Sequence, residues 1–150
     1  MTNRLSRRAS ALAVAAVLGG GVALAGASPA YATGCLTGTG DVPSPKGGAG
    51  ATATATLCVN SAGYAWLDTN RTNTVRDKSA DGYAARAYVY WNQQYTGAIA
   101  VDDTATSGGA PLRWESNAGT QFRWTEVHVC LGYSRPDDYN GRCALVVYNS

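Results

Sequence analysis

A carboxylate and an imidazole fall two residues apart at Glu126 and His128, in the run Thr125-Glu126-Val127-His128-Val129. On an extended chain such residues share a face, their Cα atoms roughly 6.5–7 Å apart. With an arginine nearby, the pair could serve as general base and acid in phosphodiester cleavage, the chemistry of a small secreted ribonuclease. His128 is the single histidine and no Gly-x-Ser-x-Gly run exists, so serine chemistry has no partner set. Nothing supplies a pocket, and the plainer reading is two strand residues bonded to each other. Glu126 and His128 are therefore catalytic only under the alternative reading that the protein is a hydrolase.

Asp102-Asp103 and Asp137-Asp138 are adjacent pairs. Neighbours on an extended chain point to opposite sides, so neither pair makes an acid–base dyad. Asp137 to Gly141 crowds oxygen ligands into a turn, without the spacing of a calcium loop. No Cys-x-x-Cys occurs either. The expectation is no metal and no cofactor.

The strongest binding signal is aromatic. Ala84 to Asn92 alternates as a strand, with Arg86, Tyr88 and Tyr90 on one side and Ala85, Ala87, Val89 and Trp91 on the other. The Ala/Val side is a core face. The Arg/Tyr side carries the residue types that protein interfaces favour, and planar rings also suit sugars.

These side chains need a scaffold, and the N-terminus says where it works. Arg4, Arg7 and Arg8 precede a small-residue apolar run over 11–25, which ends in Ser28-Pro29-Ala30-Tyr31-Ala32. That is a secretory signal with an Ala-x-Ala cleavage site after Ala32. Removing 1–32 leaves 118 residues, enough for one domain. It also removes three of the 12 basic residues, leaving 9 against 10 acidic and a net charge of −1. Nucleic acid and anionic membranes are thus not expected partners.

Four Trp and eight Tyr survive cleavage, against one Phe, one Ile and no Met. So thin a core gains from covalent help. Cys35, Cys58, Cys130 and Cys143 are an even set in an exported chain, hence two disulfides. Three pairings are open; Cys35–Cys58 with Cys130–Cys143 is favoured, because the intervening segments look like closable loops.

Residues 33–53 read as a flexible Gly/Ala/Thr/Pro-rich arm, and 54–150 as the β domain. Short strands are expected over 64–68, 72–76, 84–92, 97–101, 112–114, 121–131 and 144–148, after a first near Thr54. Turns fall at Asp81-Gly82 and Asn117-Ala118-Gly119. Neither face of 121–131 is clean, which suggests a bulge or burial on both sides. The fold class is all-β, a small antiparallel β-sandwich or barrel with two disulfides.

The Ala-x-Ala signal, the Gly/Ala/Thr arm, Thr74-Val75-Arg76-Asp77 with Asp81-Gly82, Tyr88-Val89-Tyr90-Trp91 and the Cys-bounded C-terminal hairpin together resemble small secreted β proteins of filamentous actinobacteria. Some of that group are adaptor subunits of umbrella-type antibacterial particles, attached through an N-terminal extension. The resemblance implies an extracellular adaptor. The expected function is a secreted, non-enzymatic protein-binding module, whether adaptor, inhibitor or toxin-accessory subunit, with another extracellular protein as partner. Arg86, Tyr88, Tyr90 and the arm over 33–50 are its candidate contacts. A carbohydrate-binding module is the third reading.

Overall fold

Alternating small and β-branched residues build ten strands in the computed structural model, which describes residues 33–106, 108–116, 124–138 and 140–150. The signal segment expected over 1–32 and the turn expected at 117–119 lie outside them. No α-helix occurs among the described residues, so none is long and apolar enough to cross a membrane. The strands form two antiparallel five-stranded sheets, and the expected sandwich class holds.

The first sheet holds β1 (Gly34–Pro43), β2 (Ala49–Val59), β4 (Thr74–Asp77) and β8 (Ala110–Pro111) in that order, with β3 (Ala65–Leu67) also paired to β2. The second runs β10 (Cys143–Asn149), β9 (Thr125–Leu131), β5 (Ala85–Trp91), β6 (Gln94–Tyr95), with β7 (Ala100–Asp102) also on β5. Between the sheets lies a core of Val, Leu and Ala, including Leu57, Val75, Val89, Val127, Val129 and Leu131.

Residues 33–53 are not a flexible arm. They form β1, the following turn and the start of β2, and the low complexity has a packing reason. Gly38, Gly40 and Val42 face inward with Ala51, Ala53 and Ala55, while Thr37 and Thr39 face outward against Thr56 and Thr54. A Cβ on Gly38 would lie 1.9 Å from the carbonyl oxygen of Val146, and one on Gly40 would lie 2.7 Å from that of Leu145. Only glycine lets β1 come this close to the backbone of β10. Asn149 closes the same seam: its buried side-chain amide donates to the carbonyls of Gly34 and Leu57, at 3.2 and 3.1 Å.

Both disulfides pair as expected, Cys35–Cys58 and Cys130–Cys143. Each joins residues directly opposite across two antiparallel strands, β1 to β2 and β9 to β10. The bridges therefore staple ladders already made.

Of the strand expected over 121–131, residues 121–123 lie outside the described residues. In β9 Thr125, Val127 and Val129 are buried while Glu126 and His128 lie on the outer side, where Cys130 is buried as well. The irregularity lies on its partner, where β10 shifts register between Leu145 and Val147 and leaves Val146 bulged toward β1.

Candidate functional site

The outer face of the second sheet gathers the chemistry. Register sets its rows, because directly opposed residues share a face. Tyr148 of β10 lies opposite Glu126, Glu126 opposite Tyr90 of β5, and Tyr90 opposite Tyr95 of β6. One step along, Leu145 lies opposite His128 and His128 opposite Tyr88. Beyond that come the Cys143–Cys130 bridge, Arg86 and Val101.

The aromatic rings hold one another. Tyr90 packs edge-on to Tyr95 with centroids 4.9 Å apart, and stacks on Trp124 at 6.3 Å with an interplanar angle of 11°. Tyr95 meets the His128 ring edge-on at 5.4 Å. Leu145 and Tyr148 remain 49% and 45% exposed at the β10 side.

Glu126 and His128 do meet, as their spacing allows. His128 Nε2 lies 2.7 Å from Glu126 Oε2 and 3.5 Å from the Tyr95 hydroxyl. The carboxylate accepts, which places the imidazole proton on Nε2. Their side chains are 15% and 24% exposed, set in the sheet surface. Among the described residues, one cleft of about 460 Å³ lies around Tyr83, Arg86 and Tyr133, and another of about 550 Å³ around Trp66, Arg113 and Glu115. Glu126 and His128 line neither.

Of the expected Arg86/Tyr88/Tyr90 strip, two members are within a partner's reach. Tyr88 is buried at 6% exposure. Burial pushes its hydroxyl pKa up, against the opposing pull of Arg86 and Arg135. Tyr90 is half-buried, and Arg86 lays its guanidinium 4.6 Å over the ring of Tyr133, itself 89% exposed.

Tyr95 was not expected here. Asn92 and Gln93 both take positive φ, 51° and 64°, and turn β5 back into the two-residue β6. Asn92 alone signals such a turn; Gln93 stands where Gly is usual, so the hairpin was hidden. Leu145 and Tyr148 were read only as parts of a closing strand, and their outward direction depends on the bulge at Val146.

No family model matches this chain, and no curated protein or solved structure matches it.

Proposed function

We propose that the protein is an exported, non-enzymatic binding module that takes a protein partner on the outer face of its second sheet. The observation that carries this reading is the row Tyr148, Glu126, Tyr90, Tyr95, flanked by Trp124 and the half-exposed Leu145. Tyr and Trp with one wet edge, around an imidazole–carboxylate contact, are what a protein interface core selects. Neither lysine of the 118 residues, Lys46 or Lys78, lies in a strand of this sheet, in keeping with the depletion of Lys at such cores. The signal sequence and two disulfides fit export to an oxidising compartment. Adaptor, inhibitor and toxin-accessory roles all use such a surface.

The test is capture of partners by the tagged protein from its culture supernatant, identified by mass spectrometry. The double variant Leu145→Ala/Tyr148→Ala should lose a stoichiometric partner that the unaltered protein retains, with thermal unfolding unchanged. No partner, or one held equally by the double variant, sinks the reading.

One observation keeps a second reading, the 2.7 Å contact of Glu126 and His128. A hydrolase would turn over RNA or peptide substrates and lose that turnover in His128→Ala while keeping its fold. Against it stands the pair's place in the ladder of a sheet face, with Glu126 between Tyr148 and Tyr90 and His128 between Leu145 and Tyr88.

A further inference from the structure

We infer that a second site, for a neutral polysaccharide, lies on the outer face of the first sheet at the edge of β3, with Trp66 as the platform for a sugar ring. It is independent of the protein-partner reading. Trp66 opposes Cys58, so it points out of the sandwich beside the Cys35–Cys58 bridge.

The platform is held in place before any ligand arrives. Tyr64 stacks on Trp66 with centroids 5.7 Å apart and 30° between planes, and its hydroxyl donates to Glu115 Oε2 at 2.9 Å. That hydrogen bond raises the Tyr64 pKa. Trp66 also pairs with Glu115 through an isolated β-bridge. Leu67 N donates to the Trp114 carbonyl at 2.9 Å and Ser116 N to that of Ala65 at 2.8 Å. Behind them Trp114 packs edge-on to Trp91 at 6.2 Å. A rigid ring binds at small entropic cost.

The polar groups select the ligand. The cleft of about 550 Å³ has the size of a small-ligand site. Exposed Arg113 lines it with donors only, and has no ion pair to a described residue. Glu115 lines it with acceptors only, and Tyr64 occupies just one of its two oxygens. Sugar hydroxyls both donate and accept, so they satisfy the two together. The two charges cancel and favour neither a cationic nor an anionic ligand. The C–H face of a pyranose supplies the apolar plane that an indole needs.

The test uses the whole secreted protein in co-sedimentation with insoluble cellulose, chitin and starch, and tryptophan fluorescence titration with cellohexaose, chitohexaose and maltohexaose. At least one polymer should retain the protein, and its hexaose should shift the fluorescence saturably. Trp66→Ala should abolish retention; Arg113→Ala and Glu115→Gln should each weaken it roughly tenfold. Arg113 and Glu115 are exposed, so their double variant decides the matter if Trp66→Ala unfolds. Leu145→Ala/Tyr148→Ala should retain full polysaccharide binding, which separates this site from the partner face. No retention on any polymer, retention that survives both the Trp66 and the double variant, or binding of a proline-rich peptide without sugar would each overturn the inference.

Discussion

The two outer faces of the sandwich follow the same pleat and carry opposite chemistry. Over β1 and β2 the first sheet shows threonines that satisfy one another, Thr37 to Thr56 at 2.8 Å and Thr39 to Thr54 at 3.1 Å. The second sheet shows Tyr90, Trp124, Leu145 and Tyr148, which present aromatic and aliphatic surface instead. Inside, both sheets supply large side chains, Leu57 and Val75 from the first and Val89, Val127, Val129 and Leu131 from the second. Along the seam of β1 with β10 the first sheet gives up side-chain volume, at Gly38 and Gly40, so that two backbones can approach. The strands of the first sheet should therefore be sensitive in stability, and the second face sensitive in binding.

The comparison breaks most sharply at the N-terminal hairpin. Deleting residues 33–50 should abolish the cooperative thermal transition followed by circular dichroism, because β1 and its seam against β10 are lost. A tether would leave that transition intact.

Gly38→Ala should cost about 3 kcal/mol in denaturant unfolding, since a methyl group there collides with a carbonyl and not with a yielding side chain. An effect within about 0.5 kcal/mol, the ordinary surface range, would mean that the seam is looser than its geometry. On the other face, Leu145→Ala/Tyr148→Ala should stay within about 0.5 kcal/mol in the same assay while weakening partner binding by about 2 kcal/mol. The reverse pattern would erase the distinction between the faces.

Thr37→Val removes a neutral hydrogen bond and should cost about 1 kcal/mol in chemical denaturation. The smallest effect tests the tie between the hairpin turn and the start of the second sheet. Burial pushes the Asp81 carboxyl pKa up, but hydrogen bonds from Ser44, Tyr83 and Ser79 and the charge of Lys46 outweigh it, and the net pKa is lowered. Its folded pKa lies below the unfolded value, so its stabilisation is present above roughly pH 4 and is lost as pH falls through the folded pKa. Ser44→Ala should flatten part of that acid-induced loss in a pH series of melting temperatures.

Much of the scaffold was legible. The two-residue period over 84–92 is β5, with Ala85, Ala87 and Val89 inward. Four cysteines in two near-sequence pairs became the two cross-strand bridges. The hairpin was misread because Gly, Ala and Thr score as loop by composition, and composition is silent about a backbone lying a few ångströms away. Tyr95 was missed for a local reason: a Gln holds the second positive-φ position of its turn.

By itself the sequence determined the alternation of the strands, the pairing of Glu126 with His128 on one face, and the cysteine inventory. These depend on near neighbours along the chain, which periodicity reports directly. Tertiary structure alone decided that Tyr88 is covered while Tyr148 is not, that Val146 bulges toward Gly38, and that Trp66 and Glu115 share an edge. Each of these turns on contacts between residues distant in sequence. Side-chain period tells two faces apart, but it does not say which one another element will cover.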